Sequence, residues 1–235
     1  MNFVPFGMVG VPTISILNRA RRLPIDLGKL VPALQGYLDA VFTPNWGIPA
    51  KVRLVEGAKA PPGDWALVLV DHSADAGALG YHELTEHGCP QEIVAVRDTL
   101  DAGDTLADVI SHEVVEVLVD PGTNIAIAVN PAQDHFMACE VGDPVQPGPD
   151  GSGSIEVDGF PFCNFVLKSW FEPWHKPGSV RFDYLGLCKE PLEVLESGYV
   201  SEFKHGKWGE RFGSHHAQAR FAKRSHARVA RRGRR

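Results

Sequence analysis

The segment 111–121 (SHEVVEVLVDP) constrains the fold most, because it places ionisable side chains within an apolar helix. Residues three or four apart share a helix face, so the spacing predicts one polar line of His112, Glu116 and Asp120, with Glu113 beside it. Burying such groups among Val and Leu is costly unless something pairs with them. A bound metal ion is the simplest partner.

The first part of this segment is close to a known metal-binding motif. His-Glu-x-x-His on a helix provides two ligands on one face and a Glu that can act on a water molecule at the metal. Here Glu116 stands at the second ligand position. A carboxylate also binds zinc, but it adds negative charge and suits harder ions such as Mn²⁺ or Ca²⁺. The sequence therefore predicts that His112 and Glu116 bind Zn²⁺ or another divalent metal.

A catalytic zinc site needs a third protein ligand and one open position. Glu140 is the first choice, because it is an acid within the apolar stretch 136–141. Asp143 and Asp120 are the alternatives. Asp120 can instead support His112 or end the helix, since the residue before Pro121 avoids helical geometry.

This arrangement predicts a hydrolytic mechanism. A metal lowers the pKa of a bound water toward about 7 and polarises a carbonyl group. Glu113 is the predicted catalytic residue, taking the proton from the water and passing it to the leaving amine. A donor for the developing oxyanion is also required, and His82, His175 and Tyr184 remain open as candidates. The histidines near the preceding strands (His72, His82 and His87) are predicted to be loop residues rather than metal ligands.

The residues before this helix predict a sheet with one helix behind it. Apolar residues recur at helical spacing over 25–42, with Pro32 inside the run, and 43–47 is expected to end that helix. Asp104 or Thr105 is expected to cap the central helix. The predicted strands are 12–17, 51–55, 65–70, 79–84 and 92–96.

The pattern is weaker beyond residue 124. Predicted elements are a strand at 125–129 and a hairpin of 155–157 with 160–167 around Asp158-Gly159. The predicted fold class is α+β, with a twisted mixed sheet, a backing helix and an active-site helix, followed by an irregular C-terminal subdomain. The predicted divisions are 1–122 for the sheet and active-site helix, 123–210 for the part supplying the third ligand, and 211–235 for a basic, disordered tail.

Charge is distributed unevenly along the chain. Nine of the 23 Lys and Arg residues and none of the 29 acids lie from residue 211 onward. Such a tail favours contact with nucleic acid or another anionic partner through phosphate neutralisation. The arginines assigned to this contact are Arg228, Arg231, Arg232, Arg234 and Arg235.

Two further features bound the class of protein. No apolar run reaches the roughly 18–20 residues that a membrane span needs, and the N-terminus has no basic region typical of a signal peptide. The four cysteines are widely spaced and contain no Cys-x-x-Cys, which favours reduced thiols over a disulfide framework.

The chain resembles the zincin metallopeptidases. In that family a twisted sheet, a helix behind it and an active-site helix follow one another, and an edge strand pairs with extended substrate; 79–84 takes the place of that strand. The segments GYHE, VISHEVVEVLVDP, ACEVGDPV and VDGFPFCNFVLKSWF resemble an uncharacterised zincin-like group associated with bacteriophage and prophage genes, over roughly residues 12–200. The matching positions are Ser111, His112, Glu113, Glu116, Asp120, Pro121, Glu140, Asp143 and Pro144.

The resemblance implies a zinc-dependent peptidase or amide hydrolase acting on polypeptide. It also implies an alternative, a catalytically inactive structural or virion protein of a phage, with phage structural proteins as partners. The implied location is the host cytoplasm or the virion. The chain departs from standard zincins at Glu116, which replaces the second His, and at Gly122, which occupies the usual third-ligand position.

Overall fold

A five-stranded mixed sheet organises the first part of the computed structural model, which describes residues 10–74, 78–148 and 150–221. The strand order is β2-β1-β3-β5-β4, with β4 antiparallel to β5 and the other pairs parallel. The predicted mixed sheet of an α+β protein is therefore confirmed. The strands are β1 (Thr13–Asn18), β2 (Lys51–Leu54), β3 (Trp65–Val70), β4 (Gly80–Leu84) and β5 (Pro90–Ala95).

Strand β4 lies within the predicted strand 79–84 and forms one edge of this sheet. The alternation of the strand turns His82 inward, and this residue is 9% exposed. The loop position favoured for His82 is therefore wrong. His82 lies on a strand that packs against the central helix.

The backing helix is longer than the sequence predicts. Helix α1 (Leu27–Tyr37) continues through a π-helical turn, Leu38–Phe42, into α2 (Thr43–Trp46). The expected break at 43–47 is wrong by one turn, because Pro44 stands at the start of α2, where its missing N–H is tolerated. Gly47 ends the helix with a φ of 74°.

The central helix, α4 (Leu106–Val119), follows a short helix, α3 (Val96–Ala102), that the sequence analysis did not predict. The hydroxyl of Thr105 accepts the Asp108 N–H at 3.4 Å, which confirms one of the two predicted caps. All 14 residues of α4 are buried. A helix buried on every side must compensate each of its charged groups within the protein.

Asp120 ends α4, as one of its predicted roles requires. Its carboxylate accepts the N–H groups of Asn124 at 3.0 Å and Ile125 at 2.7 Å. These bonds satisfy the backbone of the following turn and keep both Asp120 oxygens occupied.

The rest of the chain adds a second, antiparallel sheet of order β11-β10-β7-β6 and the predicted hairpin of β8 with β9. The β10–β11 hairpin lies in a region where the sequence showed little periodicity, and β9 ends before the predicted residue 167. The strands are β6 (Ala126–Asn130), β7 (His135–Ala138), β8 (Ile155–Val157), β9 (Phe160–Phe162), β10 (Tyr199–Lys204) and β11 (Lys207–Phe212).

The C-terminal part differs from the predicted tail. Strand β11 crosses the predicted boundary at residue 210, and residues 215–221 are helical. Buried residues on both sides of the predicted boundary at 122, such as Ile14 and Phe165, belong to one hydrophobic core. Arg228, Arg231, Arg232, Arg234 and Arg235, assigned to nucleic-acid contact, lie outside the described residues.

All four cysteines lie within the described residues and are free thiols. Over the same residues, the helices lack the combination of length and apolar character that crossing a membrane requires.

Candidate metal centre

Three side chains converge beside the middle of α4. The Nε2 atom of His112 lies 3.2 Å from Glu116 Oε2 and 3.2 Å from Asp143 Oδ1. The first two residues are one helical turn apart, and Asp143 begins the 3₁₀ turn Asp143–Val145 that follows β7. Each of the three is at most 8% exposed. The structure therefore brings two predicted ligands together with Asp143, one of the predicted alternatives.

The spacing of these atoms fits a shared metal ion. Tetrahedral ligands at zinc distances of about 2.0–2.1 Å lie about 3.3 Å from one another. Asp143 Oδ1 is buried and has no hydrogen-bond partner among the described residues. A neutral imidazole carries one N–H group and cannot donate from the same nitrogen to both carboxylates. A cation at their common point would satisfy all three groups.

Backbone close to the site fixes two of these side chains. The N–H of Gly142 donates to Glu116 Oε1 at 3.1 Å. A Cβ atom at residue 142 would lie only 2.6 Å from His112 Nδ1, so glycine is required for this approach. The phenol of Tyr199 lies beside Asp143 and acts to lower the pKa of its carboxyl. Glu116 and His112, both predicted ligands, are therefore constrained by the backbone at Gly142.

Glu113 projects from the same helix toward β4. A Cβ atom at Gly80 would clash with its carboxylate, so this glycine makes room for Glu113 against the strand. His82 Nδ1 lies 3.8 Å from Glu113 Oε2, and His82 Nε2 lies 3.2 Å from the carbonyl oxygen of Asp120. Ligand atoms of His82, Glu113 and Glu116 also lie within 4.8 Å of one another.

Glu140, the first choice for third ligand, takes a different position from the one predicted. Its Oε2 atom lies 3.9 Å from His82 Nε2 and has no hydrogen-bond partner within the described part of the chain. The turn after β7 directs Asp143, three residues later, toward His112. Glu140 therefore adds an acidic group on the His82 side of the site.

Two of the three candidate oxyanion donors lie elsewhere. His175 hydrogen-bonds to Glu172 at 2.6 Å, and the ring of Tyr184 packs 5.6 Å from that of Phe165. Neither is among the described residues that line the cavity at this site, whereas His82 is. That cavity has a volume of about 320 Å³ and lies between α4, β4 and β10.

Acidic groups in this region resist ionisation. Burial, and next the charge of Glu116, raise the pKa of Asp143 to about 6. Burial raises the pKa of Asp108 to about 7, and burial with Glu116 raises the pKa of Glu140 well above its usual value. The site thus has more carboxyl groups than it can hold as anions without cations.

The pKa of both histidines is raised, although burial alone would lower it. Burial lowers the pKa of His112, but the charge of Glu116 and the close approach of the Asp143 carboxylate raise it well above its usual value. Burial also lowers the pKa of His82, while Glu113 and the neighbouring Glu140 and Glu116 raise it to about 10. Protons on these histidines are the simplest compensation for the carboxylates when no metal is bound.

We expect Asp108→Asn to stabilise the metal-free protein more at pH 8 than at pH 5, by about 2 kcal/mol. The pKa of Asp108 is about 7 in the folded protein, against the usual value of 3.8 that applies to the unfolded chain. Between these pH values Asp108 is protonated in the folded state and ionised in the unfolded state. The wild-type protein therefore loses stability as the pH rises from about 4 to about 7. Urea unfolding of both proteins with a chelator present measures the difference; an equal effect at both pH values would contradict the assigned shift.

Asp108 and Tyr199 were not assigned to the site from sequence, and His82 was assigned to it only as one of three candidate oxyanion donors. His82 is the inward-facing residue of a short alternating strand, and Asp108 lies four residues before His112 on the same helix face; both patterns could have indicated them. Tyr199 lies in a segment without periodicity, and no local pattern pointed to it.

Comparisons of the chain with protein-family models, with curated proteins and with solved structures find no match. The geometry and chemistry of the cavity are therefore the basis for assigning a function.

Proposed function

We propose that the protein is a zinc-dependent hydrolase of peptide or other amide bonds. In this proposal His112, Glu116 and Asp143 hold the metal and Glu113 is the catalytic residue. The observation that carries it is the approach of two buried carboxylate oxygens, each to 3.2 Å from His112 Nε2, with Glu113 on the wall of the same cavity.

The ligand chemistry favours a divalent ion. Two carboxylates and one neutral imidazole balance the charge of a dication, and this combination suits Zn²⁺ first and Mn²⁺ next. Asp143 replaces Glu140 as the proposed third ligand because its oxygen faces His112. Glu140 remains part of the acidic surroundings that favour a cation.

The chain's own groups divide the work of hydrolysis. A bound zinc ion supplies Lewis acidity and lowers the pKa of a coordinated water toward about 7. Glu113 takes a proton from the attacking water and delivers it to the leaving amine. His82 lies within the cavity as the remaining candidate donor to the oxyanion, with its Nδ1 atom 3.8 Å from Glu113 Oε2.

Strand β4 supports a polypeptide as the substrate. It is an edge strand, and Gly80, Tyr81 and His82 line the cavity beside Glu113. An extended peptide can add to such an edge through main-chain hydrogen bonds, which brings a peptide bond past the metal ligands. One antiparallel edge strand beside the active-site helix also supports the proposed zincin-like architecture.

The experiment is cleavage of a mixed peptide library by the zinc-loaded protein, read by mass spectrometry. We expect new peptide termini that disappear with a chelator and return when zinc is restored. Stoichiometric zinc without any cleavage would overturn the hydrolase proposal. That result would favour the alternative, a structural or virion protein of a phage that keeps the metal for stability.

A further inference from the structure

A C-terminal segment lies against one end of the cavity. Residues 215–221 are helical, and Ser214 Oγ, just before them, donates to the carbonyl of Glu196 at 2.7 Å. The ring of Phe221 lies 5.6 Å from that of Tyr199 and 5.5 Å from that of Phe212, and Phe221 lines the cavity. We call residues 214–221 the C-terminal arm.

Arg220 ties this arm to the beginning of the central helix. Its guanidinium group bonds to the carboxylate of Asp104, 116 residues earlier in the chain. The two side chains are 16% and 8% exposed, so the contact is largely shielded from water. A shielded guanidinium–carboxylate pair is stronger and more specific than one on the open surface.

Asp108 lies in the first turn of α4, four residues after Asp104, and lines the cavity. It is 7% exposed, and its Oδ1 atom has no hydrogen-bond partner among the described residues. Arg220 therefore satisfies the carboxylate of Asp104 and leaves that of Asp108, at the cavity wall, incompletely satisfied. A planar guanidinium group has five N–H donors, enough to bond to both.

We propose that Asp104 and Asp108 form a subsite for a guanidinium group, and that the chain's own Arg220 fills it. A ligand that enters through the cavity competes with Arg220 and reaches the free oxygen of Asp108 as well. The arm then covers the subsite until such a ligand displaces it.

The charge of the cavity supports a cationic ligand. Its described lining residues include six acids and two histidines, and no Lys or Arg. Two of these acids are proposed metal ligands, and a dication compensates them. The other four are Asp108, Glu113, Glu140 and Glu210, so the cavity remains acidic when the metal is bound. If the proposed hydrolysis also holds, the preferred substrate is a polypeptide with an arginine near the scissile bond.

Isothermal titration of the Arg220→Ala variant with a capped Ala-Arg-Ala peptide tests the subsite. The matched ligand contains citrulline, which has nearly the same shape as arginine but no charge. We expect Arg220→Ala to bind the arginine peptide at least about tenfold more tightly than the citrulline peptide, and about tenfold more tightly than wild type does. Arg97→Ala, which removes an exposed arginine paired with Asp71, is the control and should bind as wild type does.

Adding Asp108→Asn to Arg220→Ala should remove most of the preference for arginine. Equal binding of the two peptides by Arg220→Ala, or an unchanged preference in the double variant, would overturn the proposal. Circular dichroism and zinc content establish that each variant is folded. If the double variant does not fold, Asp104→Asn replaces Asp108→Asn in the same test. Binding needs no turnover, so loss of hydrolysis with intact arginine preference overturns only the proposed function.

Discussion

Glu113→Gln is expected to lower the rate of peptide cleavage by about 10²–10⁴-fold, the usual contribution of a general base. The substitution keeps the size of the side chain and its position beside Gly80, but the amide cannot accept a proton from water. Because Glu113 is not one of the three proposed ligands, zinc content should stay at the wild-type level. Initial rates on one peptide selected from the library, together with elemental analysis, measure both quantities.

Glu83→Gln is the matched control for this substitution. Glu83 is exposed on the same strand as His82 and makes a hydrogen bond with Gln91 at 3.0 Å. The same chemical change there should leave the cleavage rate within about twofold of wild type, since surface substitutions are usually nearly neutral. If Glu113→Gln cleaves as fast as Glu83→Gln, then Glu113 is not the catalytic residue.

The second large effect concerns the third ligand. We expect Asp143→Asn to weaken zinc binding by more than about 100-fold, because outer partners alone are worth 10–100-fold and Asp143 is proposed to touch the metal. Glu140→Gln makes the same change three residues earlier in the chain. It removes a neighbouring charge but no proposed ligand, so its loss should be at least about tenfold smaller.

Competition with a coloured zinc chelator gives both affinities under the same conditions. A larger loss of zinc affinity for Glu140→Gln than for Asp143→Asn would indicate that Glu140 is the third ligand, as the sequence predicts. That result would contradict the assignment of Asp143 from the geometry at His112. Similar losses for both variants would show that zinc responds to the total charge of the region rather than to a defined ligand.

The central helix could be predicted from sequence because two local signals agree. The apolar residues between Leu106 and Val119 require burial, and Pro121 sets where the helix stops. Helical periodicity then places His112 and Glu116 on one face without any knowledge of the tertiary structure. The inward position of Asp108 follows from the same periodicity, since it lies four residues before His112.

The third ligand could not be chosen from sequence, for a physical reason. Glu140 and Asp143 lie in a turn after β7, where side-chain direction depends on backbone angles and not on a fixed period. The hydrophobic neighbours of Glu140 predict that its side chain is buried. It is largely buried, but it lies against His82 rather than His112. The approach of Gly142 to the ring of His112 turns Asp143 inward, and this packing is visible only in three dimensions.

The β10–β11 hairpin shows a different limit. Its strands are rich in charged residues, and β11 is mostly exposed, so neither has the alternation that identifies a half-buried strand. Tyr199 enters the site only because β10 pairs with β7, which is a contact between distant parts of the chain. The C-terminal arm depends on the same long-range packing through Phe221.

Elemental analysis of the purified protein, wild type beside Glu116→Ala, tests the central claim most directly. The claim is that His112, Glu116 and Asp143 hold one divalent metal ion. We expect one zinc or manganese ion per wild-type chain after dialysis, and little metal in Glu116→Ala that is still folded by circular dichroism. Wild-type protein without stoichiometric metal after incubation with either ion, or a folded Glu116→Ala with the wild-type content, would contradict the claim.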